Sequence, residues 1–137
     1  MSPFEWQVRL YYEDTDNGVV VYYELYKRFM QRARTEYLRR LGFEQARRLR
    51  DDATHLAVRQ VAIDYHAPAR FNEMLNVSVE IAQLSRASMT FAQRVVRTDD
   101  NDTLLCSANI KVACLTASTF SAQPIPDFII KEIEHVD

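Results

Sequence analysis

Residues 22–41 read Tyr-Tyr-Glu-Leu-Tyr-Lys-Arg-Phe-Met-Gln-Arg-Ala-Arg-Thr-Glu-Tyr-Leu-Arg-Arg-Leu. The apolar side chains Tyr22, Leu25, Tyr26, Phe29, Met30, Ala33, Tyr37, Leu38 and Leu41 recur at the three- and four-residue spacing of a single helical face. That spacing predicts one amphipathic helix of about five turns. Its other face carries Lys27, Arg28, Gln31, Arg32, Arg34, Arg39 and Arg40. Gly42 follows where a helix needs a left-handed residue to stop, and the basic residues of the last turn suit the helix dipole. The chain holds only 2 glycines, where average usage would give about nine or ten, so each marks a position. The second, Gly18, falls in a polar loop just before the helix.

Around this helix the remaining sequence reads as strands: Phe4 to Tyr12, His55 to Tyr65, Leu75 to Leu84, Ser88 to Thr98 and Leu104 to Thr116. Strict alternation is clearest in Leu75, Val77, Val79, Ile81 and in Leu104, Cys106, Ala108, Ile110, Val112, Cys114, which puts each set on one side of a strand. Asp99-Asp100-Asn101-Asp102 marks a turn and predicts an antiparallel hairpin of the last two strands. A charged segment, Glu44 to Asp52, is expected to leave the helix as further helix and loop. Asp127, after Pro124 and Pro126, is placed to cap a short final helix bearing Phe128, Ile129, Ile130 and Ile133. A single long helix cannot alternate with the strands, so a parallel doubly wound sheet is disfavoured. The expected fold is α+β: a curved antiparallel sheet of about five strands wrapped around one long helix, in one domain spanning residues 1–137.

Composition narrows the function. With 137 residues, 47% hydrophobic and a formal net charge of −2, the chain can bury a sizeable core and has no basic surplus for nucleic acid or an anionic membrane surface. No stretch reaches the length of a membrane span, and the start lacks a signal-peptide pattern, so a cytoplasmic location is expected. Cys106 and Cys114 stand eight positions apart in one predicted strand, about 26 Å at the usual rise, and cannot bridge within it. No Gly-x-Ser-x-Gly elbow, Walker loop, Gly-x-Gly-x-x-Gly fingerprint or His-Glu-x-x-His helix occurs. The histidines His55, His66 and His135 are scattered and read as structural or exposed. Neither a metal nor a cofactor is expected.

What remains is the acidic loop Glu13-Asp14-Thr15-Asp16-Asn17-Gly18 ahead of the helix. Ser, Thr, Asp and Asn are absent from Val19 to Tyr23, so the first helical N–H groups lack a local side-chain cap. Free N–H groups at a helix start donate to an oxygen that becomes negative during reaction, and a carboxylate a few residues earlier can attack or activate water.

The run Tyr-Tyr-Glu-Asp-Thr-Asp-Asn-Gly-Val-Val-Val-Tyr-Tyr, residues 11–23, resembles the signature of the 4-hydroxybenzoyl-CoA thioesterase-like hotdog proteins. The likeness is strongest to their branch of short acyl-CoA thioesterases associated with the Tol-Pal cluster. Arg32-Ala33-Arg34-Thr35-Glu36, Pro68-Ala69-Arg70 and Ser85-Arg86-Ala87-Ser88 extend the similarity over nearly the whole chain. The resemblance implies hydrolysis of an acyl-CoA to free acid and CoA, with Asp16 as nucleophile or general base and the helix-start amide at Tyr23 polarising the thioester carbonyl. It implies substrate contacts at Gly18, Arg86 and Ser88, the last two toward the CoA phosphates, and a homodimer or homotetramer with the site at a subunit interface. The sequence departs from the branch at Val19, where a second glycine is common, at Tyr23, where histidine is usual, and at Glu24, where a small residue is usual. Tyr23 resembles instead the aromatic-acyl members, which leaves the acyl preference open. Hydrolysis of acyl carrier protein thioesters, hydratase chemistry and non-catalytic acyl-CoA binding are the rival readings, since one fold hosts several functions.

Overall fold

A computed structural model describes residues 4–16, 20–44, 47, 53–98 and 101–136. Its elements run β1 (Phe4–Arg9), a 3-10 turn (Tyr12–Asp14), β2 (Thr15–Asp16), β3 (Val20–Val21), α1 (Tyr23–Arg40), β4 (Thr54–Tyr65), β5 (Met74–Leu84), β6 (Ser88–Arg97), β7 (Leu104–Thr116), β8 (Ser121–Ala122) and α2 (Asp127–Val136). The main sheet has the order β1-β5-β6-β7-β4, with β8 on β7, and β2 and β3 form a separate two-stranded pair. Every pairing is antiparallel.

The alternation read from the sequence is what faces α1. Leu75, Val77 and Val79 of β5, Met89, Phe91 and Val95 of β6, and Cys106, Ala108, Ile110, Val112 and Cys114 of β7 are buried. They meet Leu25, Tyr26, Phe29, Met30, Ala33 and Leu38 of the helix in one core. Register slips at Val58/Gln60, Ile81/Gln83 and Val95/Val96 are bulges, which bend a strand and raise its twist. They help the sheet curl. Ile125, Ile129 and Ile133 carry the last segment back onto the same core.

The predicted helix and the four strands after it are present with ends shifted by a residue. Gly42 has φ of 93° and completes a Schellman stop: Phe43 N–H donates to Leu38 O at 2.8 Å and Gly42 N–H to Arg39 O at 3.0 Å. Three details differ from expectation. The first strand ends at Arg9 instead of Tyr12, because Asp14 turns the chain: its Oδ2 accepts the Tyr11 N–H at 2.9 Å, and its own N–H donates to Tyr11 O at 3.0 Å. Asp127 is the first residue of α2 and not its cap, and Pro126 O accepts the N–H groups of Ile129 and Ile130. The short strands β2, β3 and β8 were not foreseen. The Glu44 to Asp52 segment lies largely outside the described residues. Among the described residues no helix is long and apolar enough to cross a membrane.

Candidate active site

Two short strands set the carboxylate. Thr15 and Asp16 pair with Val21 and Val20. Thr15 is buried, its hydroxyl donating to Tyr12 O at 2.7 Å, while Asp16 is exposed. Val21 N–H donates to Ala69 O at 2.8 Å, which fastens the pair to the segment between β4 and β5. From Val21 the chain passes through Tyr22, extended at φ −62° and ψ 137°, into the first turn of α1. Among the described residues no side chain caps this helix start, in line with the absence of Ser, Thr, Asp and Asn from Val19 to Tyr23.

Asp16 and Tyr23 meet in one cleft of about 350 Å³, whose other lining residues are Val21, Tyr22 and Pro68. Asp16 is the one carboxylate among them. Asp14 is engaged in shaping the preceding turn, and Glu36 pairs with Arg39 at 2.8 Å on the exposed face of the helix. The Tyr23 ring is 63% exposed and lies 4.5 Å from the ring of Tyr65, which is 5.8 Å from Tyr26. Tyr65 and the buried Tyr26 thus pack behind the Tyr23 ring, which lines the cleft. Burial raises the Tyr26 phenol to about 12 and also lifts Tyr65, so both hydroxyls stay protonated near neutral pH.

The structure separates Arg86 and Ser88 from this cleft. Gly18 lies outside the described residues. Arg86 and Ser88 occupy the β5–β6 turn and the start of β6, where Arg86 O accepts the Ile125 N–H at 2.8 Å and Ser88 O accepts the Ser85 N–H at 2.9 Å. The cleft sits at the other end of β6, where Arg97 Nη2 donates to Pro68 O at 2.9 Å. At the usual rise, ten residues of strand separate the two ends by about 30 Å. His66 is exposed, with Nε2 2.9 Å from Ser107 Oγ, and it does not line the cleft. Cys106 is buried; burial first, and then Asp64, raises its thiol to about 11, far from the thiolate a nucleophile requires. Tyr65, Pro68 and Ala69 were missed as site residues. For Pro68 and Ala69 a signal was present as the Pro68-Ala69-Arg70 similarity, which gives no spatial position by itself; Tyr65 had none.

Antiparallel strands curled round one long helix are the hotdog fold, and here the fold brings a carboxylate to that helix's open start. The chain belongs to the thioesterase superfamily, whose family model matches residues 20–104. It is 39% identical over 131 residues to the acyl-CoA thioester hydrolase YbgC of Escherichia coli O6:H1, covering 96% of each chain. It is 38% identical over 133 residues to the acyl-CoA thioesterase YbgC of Haemophilus influenzae, covering 97% of this chain and 96% of that one. In fold it matches Slr0204, a 1,4-dihydroxy-2-naphthoyl-CoA thioesterase from Synechocystis, with a TM-score of 0.90 at 21% identity over 99% and 98% of the two chains.

Proposed function

We propose that the chain carries out acyl-CoA hydrolysis with Asp16 as nucleophile or general base and the N–H of Tyr23 as oxyanion donor. The observation that supports this most is the shared cleft, lined both by Asp16 and by the first residue of a helix with no side-chain cap among the described residues. A thioester carbonyl seated there meets the positive end of α1, and its oxygen gains most from that donor when it becomes an oxyanion. If Asp16 is the base, it takes a proton from water as the water oxygen bonds to the carbonyl carbon. The tetrahedral intermediate then collapses, the C–S bond breaks, and CoA leaves as a thiol after protonation. If Asp16 is the nucleophile, its oxygen displaces the thiolate to give a mixed anhydride, which water cleaves. Label from isotopic water enters the Asp16 carboxylate in a single turnover only along the second route.

The Tyr23 ring, backed by Tyr65, suits an acyl group with a flat apolar face. Thiol release from a panel of aliphatic and aromatic acyl-CoAs and from acyl carrier protein thioesters tests the substrate reading. Fastest release from a CoA thioester is expected; faster release from the carrier protein would redirect the assignment.

We propose further that the protein is a homo-oligomer. β4 is an edge strand whose middle is open, with Val58 and Val61 51% and 47% exposed, and such an edge invites pairing with a second copy. The distance of Arg86 and Ser88 from Asp16 leaves them a role at the CoA phosphates only across a subunit boundary. A cytoplasmic location fits a CoA substrate and two buried free thiols.

A further inference from the structure

We propose that the hydroxyl of Tyr26 is a positioning group for Asp16, acting through Ala69 and the β2–β3 pair. This rests on the Asp16 reading above and extends it to a residue that does not line the cleft.

Tyr26 is 0% exposed on the inner face of α1, a place where phenylalanine would fill nearly the same space. A buried phenol needs a partner for its oxygen. That partner is the Ala69 N–H, which donates to Tyr26 Oη at 3.0 Å. Ala69 is itself 0% exposed, and its carbonyl accepts the Val21 N–H at 2.8 Å. Val21 stands opposite Thr15, beside Asp16. One peptide segment is thus held on its N–H side by the helix and on its C=O side by the strand pair that carries the carboxylate.

The relay matters because β2 and β3 have two residues each, and an isolated hairpin is marginal even at greater length. Tyr26 is also three residues beyond Tyr23, one turn along the same helix. The element that presents the oxyanion donor therefore also sets, through Ala69, the height of Asp16 across the cleft. Pro68, next to Ala69, is a cleft wall and is held by the same bond. Burial keeps the phenol protonated, so its oxygen remains a neutral acceptor for Ala69.

Tyr26→Phe keeps the ring and removes the acceptor. Displacing a catalytic group by about 1 Å can slow a reaction by up to about 10²-fold. The expected result is a single-turnover rate roughly 10- to 100-fold lower, with KM within about twofold and the active fraction unchanged. A purely structural role would lower the active fraction, read as amplitude, and leave the rate constant alone; that result overturns the proposal.

Asp16→Asn and the double variant are measured beside it. In the Asp16→Asn background, Tyr26→Phe should change the remaining rate by less than about twofold. Equal slowing in both backgrounds means that Tyr26 acts elsewhere and removes the relay. A slow Asp16→Asn enzyme beside a Tyr26→Phe enzyme at wild-type rate removes the relay and keeps Asp16, whereas Asp16→Asn at wild-type rate removes both. Should Tyr26→Phe not fold, amide exchange in the wild-type protein decides. Protection of Ala69 and Val21 comparable to α1 is expected, and exchange of Ala69 at open-loop rates overturns the proposal.

Discussion

At the scale of single residues, the oxyanion assignment makes an unusual demand on Tyr23: its amide matters and its side chain is secondary. Position and backbone allow a clean test. Proline is welcome at the first residue of a helix, where no intrahelical bond is lost, provided the preceding residue is extended. Tyr22, at φ −62° and ψ 137°, meets that condition. Tyr23→Pro is therefore expected to fold with an unchanged circular dichroism spectrum and to lose roughly 10²–10³-fold in kcat, the scale of a single oxyanion donor. Tyr23→His should keep the amide and most of the turnover. Retention of turnover by a folded proline variant would reassign the donor. That Asp16 and Tyr23 lie close together was legible in the sequence because the acidic loop and the helix start are within eight positions, and it was the family resemblance that singled out these two. Tyr65, Pro68 and Ala69 were not legible, because they come from some forty residues later and are brought beside Tyr23 and Val21 only by the fold of the sheet and the bonds of Ala69 to Val21 and Tyr26.

Among the elements, those with many turns or many alternations were legible, since α1 and β4 to β7 repeat their pattern often enough to fix a period. β2, β3 and β8 hold two residues each and carry no period. The stop of β1 at Arg9 depends on one side chain, that of Asp14, reaching back to the Tyr11 amide. Gly42 was readable as a helix stop, and its φ of 93° gives that reading an energy. Gly42→Ala forces a Cβ into the left-handed region, at about 1–2 kcal/mol, partly offset by a less flexible unfolded chain. The added Cβ would make only an ordinary contact, 3.8 Å from Phe128, so strain dominates. A net loss of about 1 kcal/mol, or a fall in Tm of roughly 3–5 °C, is expected by calorimetry, with kcat unchanged at 25 °C.

On the scale of the whole molecule, two features of the single chain bear on association. One is the open middle of β4. The other is Arg34, 7% exposed, whose Nη1 donates to Gln93 Oε1 at 2.8 Å while Gln93 Nε2 donates to Met30 O at 3.0 Å. Burial lowers the guanidinium to about 10, so it stays charged at neutral pH with a neutral amide as partner. It lines a hollow of about 50 Å³ that also touches Leu56 and Val58 of β4. A second copy laid along β4 would cover the open strand and the hollow beside it. Wild-type protein should therefore scatter light as a dimer or larger at micromolar concentration, and Val61→Lys, which charges the open edge, should shift it toward monomer. A wild-type monomer with full activity would remove the interface and, with it, any role for Arg86 and Ser88 at the CoA phosphates.

The most direct measurement is the single-turnover rate of thiol release by Asp16→Asn, with Asp14→Asn as control. Asparagine keeps the size of the side chain and removes its capacity to act as base or nucleophile, so fold and CoA affinity should persist. The expected result is a loss of roughly 10²–10⁴-fold in rate with the melting temperature little changed, while Asp14→Asn loses far less. An Asp16→Asn enzyme with near wild-type rate would contradict the mechanism and move the role to Glu13 or Glu24, the exposed carboxylates flanking the cleft in sequence.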